Sequence, residues 1–177
     1  MRVYLAGPDV FYPDAEARAA AMKAICARYG LVGVSPLDAL EGEPAAWGGL
    51  AEWRRIARRN EAHITGCVAV IANLTPFRGP SADAGTVYEV GFARALGRVV
   101  FGWTEATEDF ATRTRASLGG RAVCGSDGVW RDGDGLLIEA FGLVDNLMID
   151  AGIAESGGAI LPAFDRCAAL LASLKPS

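Results

Sequence analysis

A chain of 177 residues that is 51% hydrophobic and 21% charged carries enough apolar side chains for one core without disulfides or metals. That composition lies far from a disordered segment. The formal charge of −4 comes with a single dense basic stretch, Arg54, Arg55, Arg58 and Arg59, whose helical spacing reads as a solvated helix face and not as a phosphate track; a nucleic-acid polymer is therefore not an expected partner.

The chain opens on a β-like run, Arg2 to Ala6, followed by a helical pattern over about Ala15 to Tyr29 and a second strand over Leu31 to Ser35. A loop over Glu41 to Gly49 leads into a helix near Leu50 to Ile64. The run Val68 to Asn73 is almost continuously apolar, as a central strand buried on both sides should be. A helix near Gly85 to Leu96 and a strand over Val99 to Trp103 continue the alternation. Gly119 to Gly135 is rich in Gly and Asp, with only Val123-Cys124 and Val129-Trp130 able to pair, and reads as a loop or hairpin excursion. Beyond it, Leu136 to Phe141 is expected to be extended, Val144 to Ile153 helical, Ala159 to Leu161 a short strand and Ala163 to Leu174 a closing helix. Such alternation predicts an α/β fold: a flavodoxin-like, doubly wound, mainly parallel sheet with helices on both faces, one domain over residues 1–177, and ligands at the carboxyl ends of the strands.

The four cysteines, Cys26, Cys67, Cys124 and Cys167, show no CxxC pair and no His at metal-ligand spacing, so no metal site is expected and buried reduced thiols are the plain reading of Cys26, Cys67 and Cys167. The lone histidine, His63, finds no nucleophile-elbow sequence and reads as a surface or helix-end residue. GxGxxG and P-loop patterns are both absent, and no cofactor is expected. The start of the chain has no charged region followed by a long apolar stretch, and no run approaches the roughly 20 apolar residues of a membrane helix. The expectation is a cytoplasmic protein without membrane contact.

Chemistry concentrates between Asn73 and Gly91. Asp83 precedes a helix that it can cap. Glu89 lies a turn and a half later, and because helical side chains lean toward the N-terminus its carboxylate should hang over Gly85 and Thr86. Gly85 and Gly91 each cost about 1 kcal/mol relative to alanine in a helix, so close packing of helix on sheet, or of a ligand on the helix, should offset them. Read singly, each residue has a bland role: a cap, a solvated glutamate, a packing glycine.

In combination they carry a resemblance. Val3-Tyr4-Leu5-Ala6-Gly7-Pro8-Asp9-Val10-Phe11, Asn73-Leu74-Thr75-Pro76-Phe77-Arg78-Gly79, Asp83-Ala84-Gly85-Thr86-Val87-Tyr88-Glu89-Val90-Gly91, and Phe141-Gly142-Leu143 with Asn146-Leu147-Met148 resemble the nucleoside 2-deoxyribosyltransferase family, in family order. The resemblance implies a retaining double displacement in which Glu89 attacks C1′ and forms a deoxyribosyl ester that a second base opens. It implies that Asp83 assists proton transfer at the base and that Tyr4 holds the Glu89 carboxylate. It implies a base-facing wall of Gly7, Phe11, Asn73, Phe77 and Arg78, with Gly85 leaving room for the sugar. Asn146 and Met148 match family residues that complete a neighbour's pocket, which implies a homo-oligomer acting on a nucleoside and a free nucleobase. The competing reading of that pair is a helix cap and a core filler.

One position departs from the family. Asn73 stands where many members carry an aspartate, and an amide cannot deliver a proton, so proton handling would fall on Asp83 or on water. Two other functions compete with transfer: an N-glycosidase in which water opens the same ester, acting on nucleosides or their 5′-monophosphates, and a non-catalytic nucleotide-binding module. Hydrolases of monophosphates resembling this family carry Ser and Arg where Asn146-Leu147-Met148 stands here, which implies a free 5′-hydroxyl.

Overall fold

The computed structural model describes residues 1–174. Its elements are, in order, β1 (Arg2–Ala6), α1 (Ala15–Arg28), β2 (Val32–Val34), α2 (Glu52–Thr65), β3 (Ala69–Asn73), α3 (Ala84–Ala95) and β4 (Val99–Trp103). They continue with α4 (Phe110–Ser117), β5 (Val123–Cys124), β6 (Trp130–Arg131), α5 (Leu147–Glu155), β7 (Ile160–Leu161) and α6 (Phe164–Ser173). Five strands form a parallel sheet in the order β2-β1-β3-β4-β7. This is the flavodoxin-like, doubly wound α/β arrangement that the alternation predicts. Strand order reverses at β1, so the crevice beyond the carboxyl ends of β1 and β3 is where this topology leaves room for a ligand.

Period-two alternation along the strands divides the core into two layers. Val3, Leu5, Ala69, Ile71 and Phe101 pack with α1 and α6 through Cys26, Phe164, Cys167 and Leu171. Tyr4, Ala6, Val70, Ala72 and Val100 face α2, α3 and α5 through Ile64, Val90, Ala93, Ile149 and Ile153. Every residue of β3 is buried, as its apolar run requires. Among the described residues no helix is long and apolar enough to cross a membrane.

The structure departs from the sequence reading in several places, each with a local cause. The Glu41 to Gly49 loop ends in a 3-10 turn, Ala45–Gly49. Helix α4 was not anticipated; Asp109 starts it by accepting from the Thr112 amide at 2.7 Å. The Gly119 to Gly135 excursion is an antiparallel hairpin, one of its two expected forms, with the second strand one residue later than expected: Val123 lies opposite Arg131 and Cys124 opposite Trp130. Leu136 to Phe141 forms no strand of its own and contributes one bridge, Leu137 to Arg131. Helix α5 begins at Leu147 and not at Val144, because Asp145 is drawn fully into the interior. There its carboxylate accepts from Ser81 Oγ at 2.5 Å and from the Ala82 amide at 2.8 Å. His63 does sit in the last turn of α2, but it is buried and hydrogen-bonds the Asp38 carbonyl at 3.1 Å, so it is not a surface residue. Cys26, Cys67 and Cys167 are buried free thiols, while Cys124 is exposed.

Candidate active site

The site is built at the switch point from β1, β3, α2 and α3. Tyr4 lies on β1 facing the α2/α3/α5 layer, and its side chain is fully buried. Glu89 lies on the inward side of α3 and is also buried, 8% exposed. The Tyr4 hydroxyl donates to Glu89 Oε1 at 2.6 Å. Asn60 of α2 donates from Nδ2 to the same oxygen at 3.1 Å. Oε1 is thus held by two donors, while no donor among the described residues reaches Oε2, and a cleft of about 260 Å³ lined by Trp53, Ile56, Asn60, Gly85, Tyr88 and Glu89 opens beside the carboxylate.

Burial dominates the electrostatics of this carboxyl, raising its pKa to about 7 against the opposing bonds from Tyr4 and Asn60, with the Asp83 charge adding a further upward push. Burial and the neighbouring carboxylate also raise the Tyr4 phenol, so Tyr4 stays protonated and remains a donor. Burial therefore brings the titration of Glu89 toward neutral pH, and Tyr4 and Asn60 orient its carboxylate.

Asp83 caps α3, its Oδ2 accepting from the Thr86 amide at 2.9 Å and from Thr86 Oγ1 at 3.1 Å. Its other oxygen takes no donor among the described residues. Gly85 and Gly91 are exposed, and a Cβ on Gly91 would meet nothing within 4 Å. Neither glycine is explained by helix-on-sheet packing. Gly85 lines the Glu89 cleft, whereas Gly91 lines a separate groove between α3 and α5.

In the segments after β1 and β3, Phe11 and Phe77 stack with ring centroids 5.4 Å apart. The Arg78 guanidinium lies 4.7 Å from the Phe77 ring centroid and 5.3 Å from that of Phe11. Arg78 is the one non-glycine among the described residues with positive φ, 56°, a conformation whose cost of order 1 kcal/mol these cation–π contacts can offset. Gly7 has no room for a side chain: a Cβ there would stand 2.7 Å from Asp9 Oδ2 and 2.8 Å from Asn73 Cβ. That close approach lets Asn73 Nδ2 donate to Asp9 Oδ2 at 2.9 Å, while Asn73 Oδ1 accepts from the Thr75 amide at 3.0 Å. Both ends of the Asn73 amide are thus engaged within the protein. The carboxylate that the end of β3 lacks is brought to it by Asp9, from the turn after β1, with Arg18 on its other oxygen at 3.4 Å.

Asn146 and Met148 are not part of this cleft. Asn146 caps α5, accepting from the Met148 amide at 3.0 Å and donating to Glu139 at 2.8 Å. Met148 is 67% exposed and fills no core. Both line the groove of about 780 Å³ on the far side of α3. Among the described residues no cluster of three or more His, Cys, Asp or Glu side chains could hold a metal ion.

Asn60 escaped the sequence reading. The signal was present: Trp53, Ile56, Asn60 and Ile64 fall at three- and four-residue spacing, so Asn60 is a polar residue on an otherwise apolar helical stripe. The surrounding arginines hid it.

A doubly wound sheet with a buried, oriented carboxylate at its switch point defines a small-molecule site of the Glu/Tyr kind just described. The family model for nucleoside 2-deoxyribosyltransferases matches residues 3–148, and the chain belongs to that family. It is similar to an uncharacterized protein of Schizosaccharomyces pombe, 33% identical over 165 residues that cover 88% of this chain and 78% of that protein. Among solved structures it is similar to a 2-deoxyribosyltransferase from Leishmania mexicana, with 28% identity, 99% of both chains covered and a TM-score of 0.71. A conserved protein from Enterococcus faecalis, 18% identical with 95% and 94% coverage and a TM-score of 0.58, shares the fold.

Proposed function

We propose that this protein transfers 2-deoxyribose from one nucleobase to another through a covalent ester on Glu89. The observation that carries this reading is the buried Glu89 carboxylate beside the cleft, with one oxygen tethered by Tyr4 and Asn60 and the other taking no donor among the described residues. In the first half-reaction Oε2 bonds to C1′ while the C1′–N bond breaks, and the base departs as it takes up a proton relayed from solvent through Asp83, whose uncommitted oxygen suits that exchange. In the second, an incoming base attacks C1′, the ester C1′–O bond breaks, and the proton returns to Asp83. Two inversions give retention. Phe11, Phe77 and Arg78 form the stacking wall for the base, with Gly7 and Asn73 setting its floor.

Asn146 and Met148 complete the site of a second copy in this proposal. They open on the opposite side of α3 from Glu89 of their own chain, and the exposed Met148 has no partner within it. N-glycosidase action is the second reading. In one protomer the outer rim of the cleft, Trp53 and Tyr88, is open to solvent, so water that reaches the ester would hydrolyse it.

Incubation with 2′-deoxyinosine, with and without adenine, separates these outcomes. New 2′-deoxyadenosine with retained configuration is expected. Hypoxanthine release alone would replace transfer by hydrolysis, and no turnover of any deoxynucleoside would leave a binding module.

A further inference from the structure

Asn60 has a second polar atom that the protein leaves unused. Its Nδ2 is committed to Glu89 Oε1, but its Oδ1 is buried and receives no hydrogen bond from the described residues. An unpaired buried acceptor costs about 1–3 kcal/mol, and native structures leave few such groups unexplained. This one belongs to a residue that lines the Glu89 cleft.

The stereochemistry of the proposed reaction, on which this inference rests, says which donor. The base of a natural nucleoside projects from the β face of the sugar ring, so displacement with inversion requires Glu89 to approach from the α face. The 3′-hydroxyl lies on that same α face; the 5′-hydroxymethyl lies on the β face with the base. Asn60 grips Oε1 through its nitrogen, which leaves its oxygen as the uncommitted polar atom of the amide, able to accept from the sugar. We propose that Asn60 Oδ1 accepts a hydrogen bond from the 3′-hydroxyl of the bound sugar, making Asn60 the residue that selects 3′-hydroxylated substrates. One planar amide then ties the nucleophile to its target and aligns C1′ with Oε2.

A substrate lacking the 3′-hydroxyl leaves Oδ1 unpaired in a closed site, and sites built around a hydroxyl reject the deoxy analogue strongly. The test compares transfer to adenine from 2′-deoxyinosine, 2′,3′-dideoxyinosine and 2′,5′-dideoxyinosine by the wild type and by Asn60→Ala. The wild type is expected to favour 2′-deoxyinosine over the 2′,3′-dideoxy substrate by about 10²-fold in kcat/KM. Asn60→Ala should be slower on every substrate and should lose most of that preference, while the discrimination against the 5′-deoxy substrate stays as in the wild type. A purely structural role for Asn60 would lower all three rates together.

If Asn60→Ala is too slow to assay, the same comparison is made by calorimetry. Glu89→Gln should bind 2′-deoxyinosine at least about tenfold more tightly than its 3′-deoxy analogue, and Glu89→Gln with Asn60→Ala should bind the two alike. An undiminished 3′-hydroxyl preference without Asn60, in either measurement, overturns the assignment while leaving transfer intact. A wild type that forms no deoxyribosyl ester on Glu89 removes the functional reading and this inference with it.

Discussion

The two faces of the sheet are made by alternate residues of the same strands, yet they solve different problems. On the α1/α6 face, Val3, Leu5, Ile71, Phe101 and Leu171 pack as an apolar layer, and the buried Asp9 carboxylate at its edge is paired with Arg18 of α1. Even the polarisable groups there are inert, since burial pushes the Cys26 thiol up to about 11 and the Cys167 thiol up to about 12. On the α2/α3/α5 face the same kind of apolar layer surrounds the Tyr4 hydroxyl and encloses Glu89. One face contributes stability, and the other gives some up to hold a carboxyl out of water and near neutral pKa.

Glu89→Gln breaks this contrast most severely. Transfer should fall by at least about 10³-fold, because the amide cannot form the ester; steady-state assay with 2′-deoxyinosine and adenine measures it. The same substitution should raise thermal stability at pH 8. The folded-state pKa of about 7 lies above the ordinary 4.5, so the folded protein holds a proton on Glu89 that the unfolded chain releases. The stability this contributes is present below about pH 4.5 and is lost as pH rises through about 7. At pH 8 the loss amounts to as much as about 3 kcal/mol. Melting curves should show the variant's advantage at pH 8 and little or none at pH 4.5. An advantage independent of pH would show that Glu89 is not held with a raised pKa.

Tyr4→Phe is a milder test of the same face. It removes a hydrogen bond that favours ionised Glu89, so the rising limb of kcat/KM against pH, expected near pH 7 in the wild type, should move upward by about one unit, with activity at pH 7 falling about fivefold. A limb that stays in place would detach the titration from Glu89. Leu171→Ala works on the opposite face and should leave that limb unmoved. It should cost about 2–5 kcal/mol in denaturant unfolding, and a shift of the pH profile would mean that the two layers are coupled through the sheet.

Much of the fold was legible because its signals are local. The all-apolar β3 announced a central strand, and Asp83 announced the start of α3, which it caps. Glu89 could be singled out because Asp-x-Gly-Thr-x-x-Glu is a contiguous pattern, and Tyr4 because it lies in a strand-like motif. Helix α4 was missed since its eight residues, Phe110–Ser117, carry a weak apolar pattern, and α5 was started too early because burial of Asp145 depends on Ser81 and Ala82, more than 60 residues away. Asn73 looked like the loss of an acid, but Asp9 restores a carboxylate to the same place. Those two residues are 64 positions apart, and nothing in their spacing pairs them.

What the amino-acid sequence determined by itself was the alternation of the sheet's strands with helices, the family and the motif that contains Glu89, all properties of short windows whose periodicity and residue types suffice. Which oxygen of Glu89 is tethered and which is free, that Asn60 shares its grip with Tyr4, that its pKa is near neutral, and that Asn146 and Met148 face away from their own cleft were decided only by the tertiary structure. Hydrogen-bond geometry and desolvation arise when α2, α3 and β1 close around one another, and no segment carries them alone.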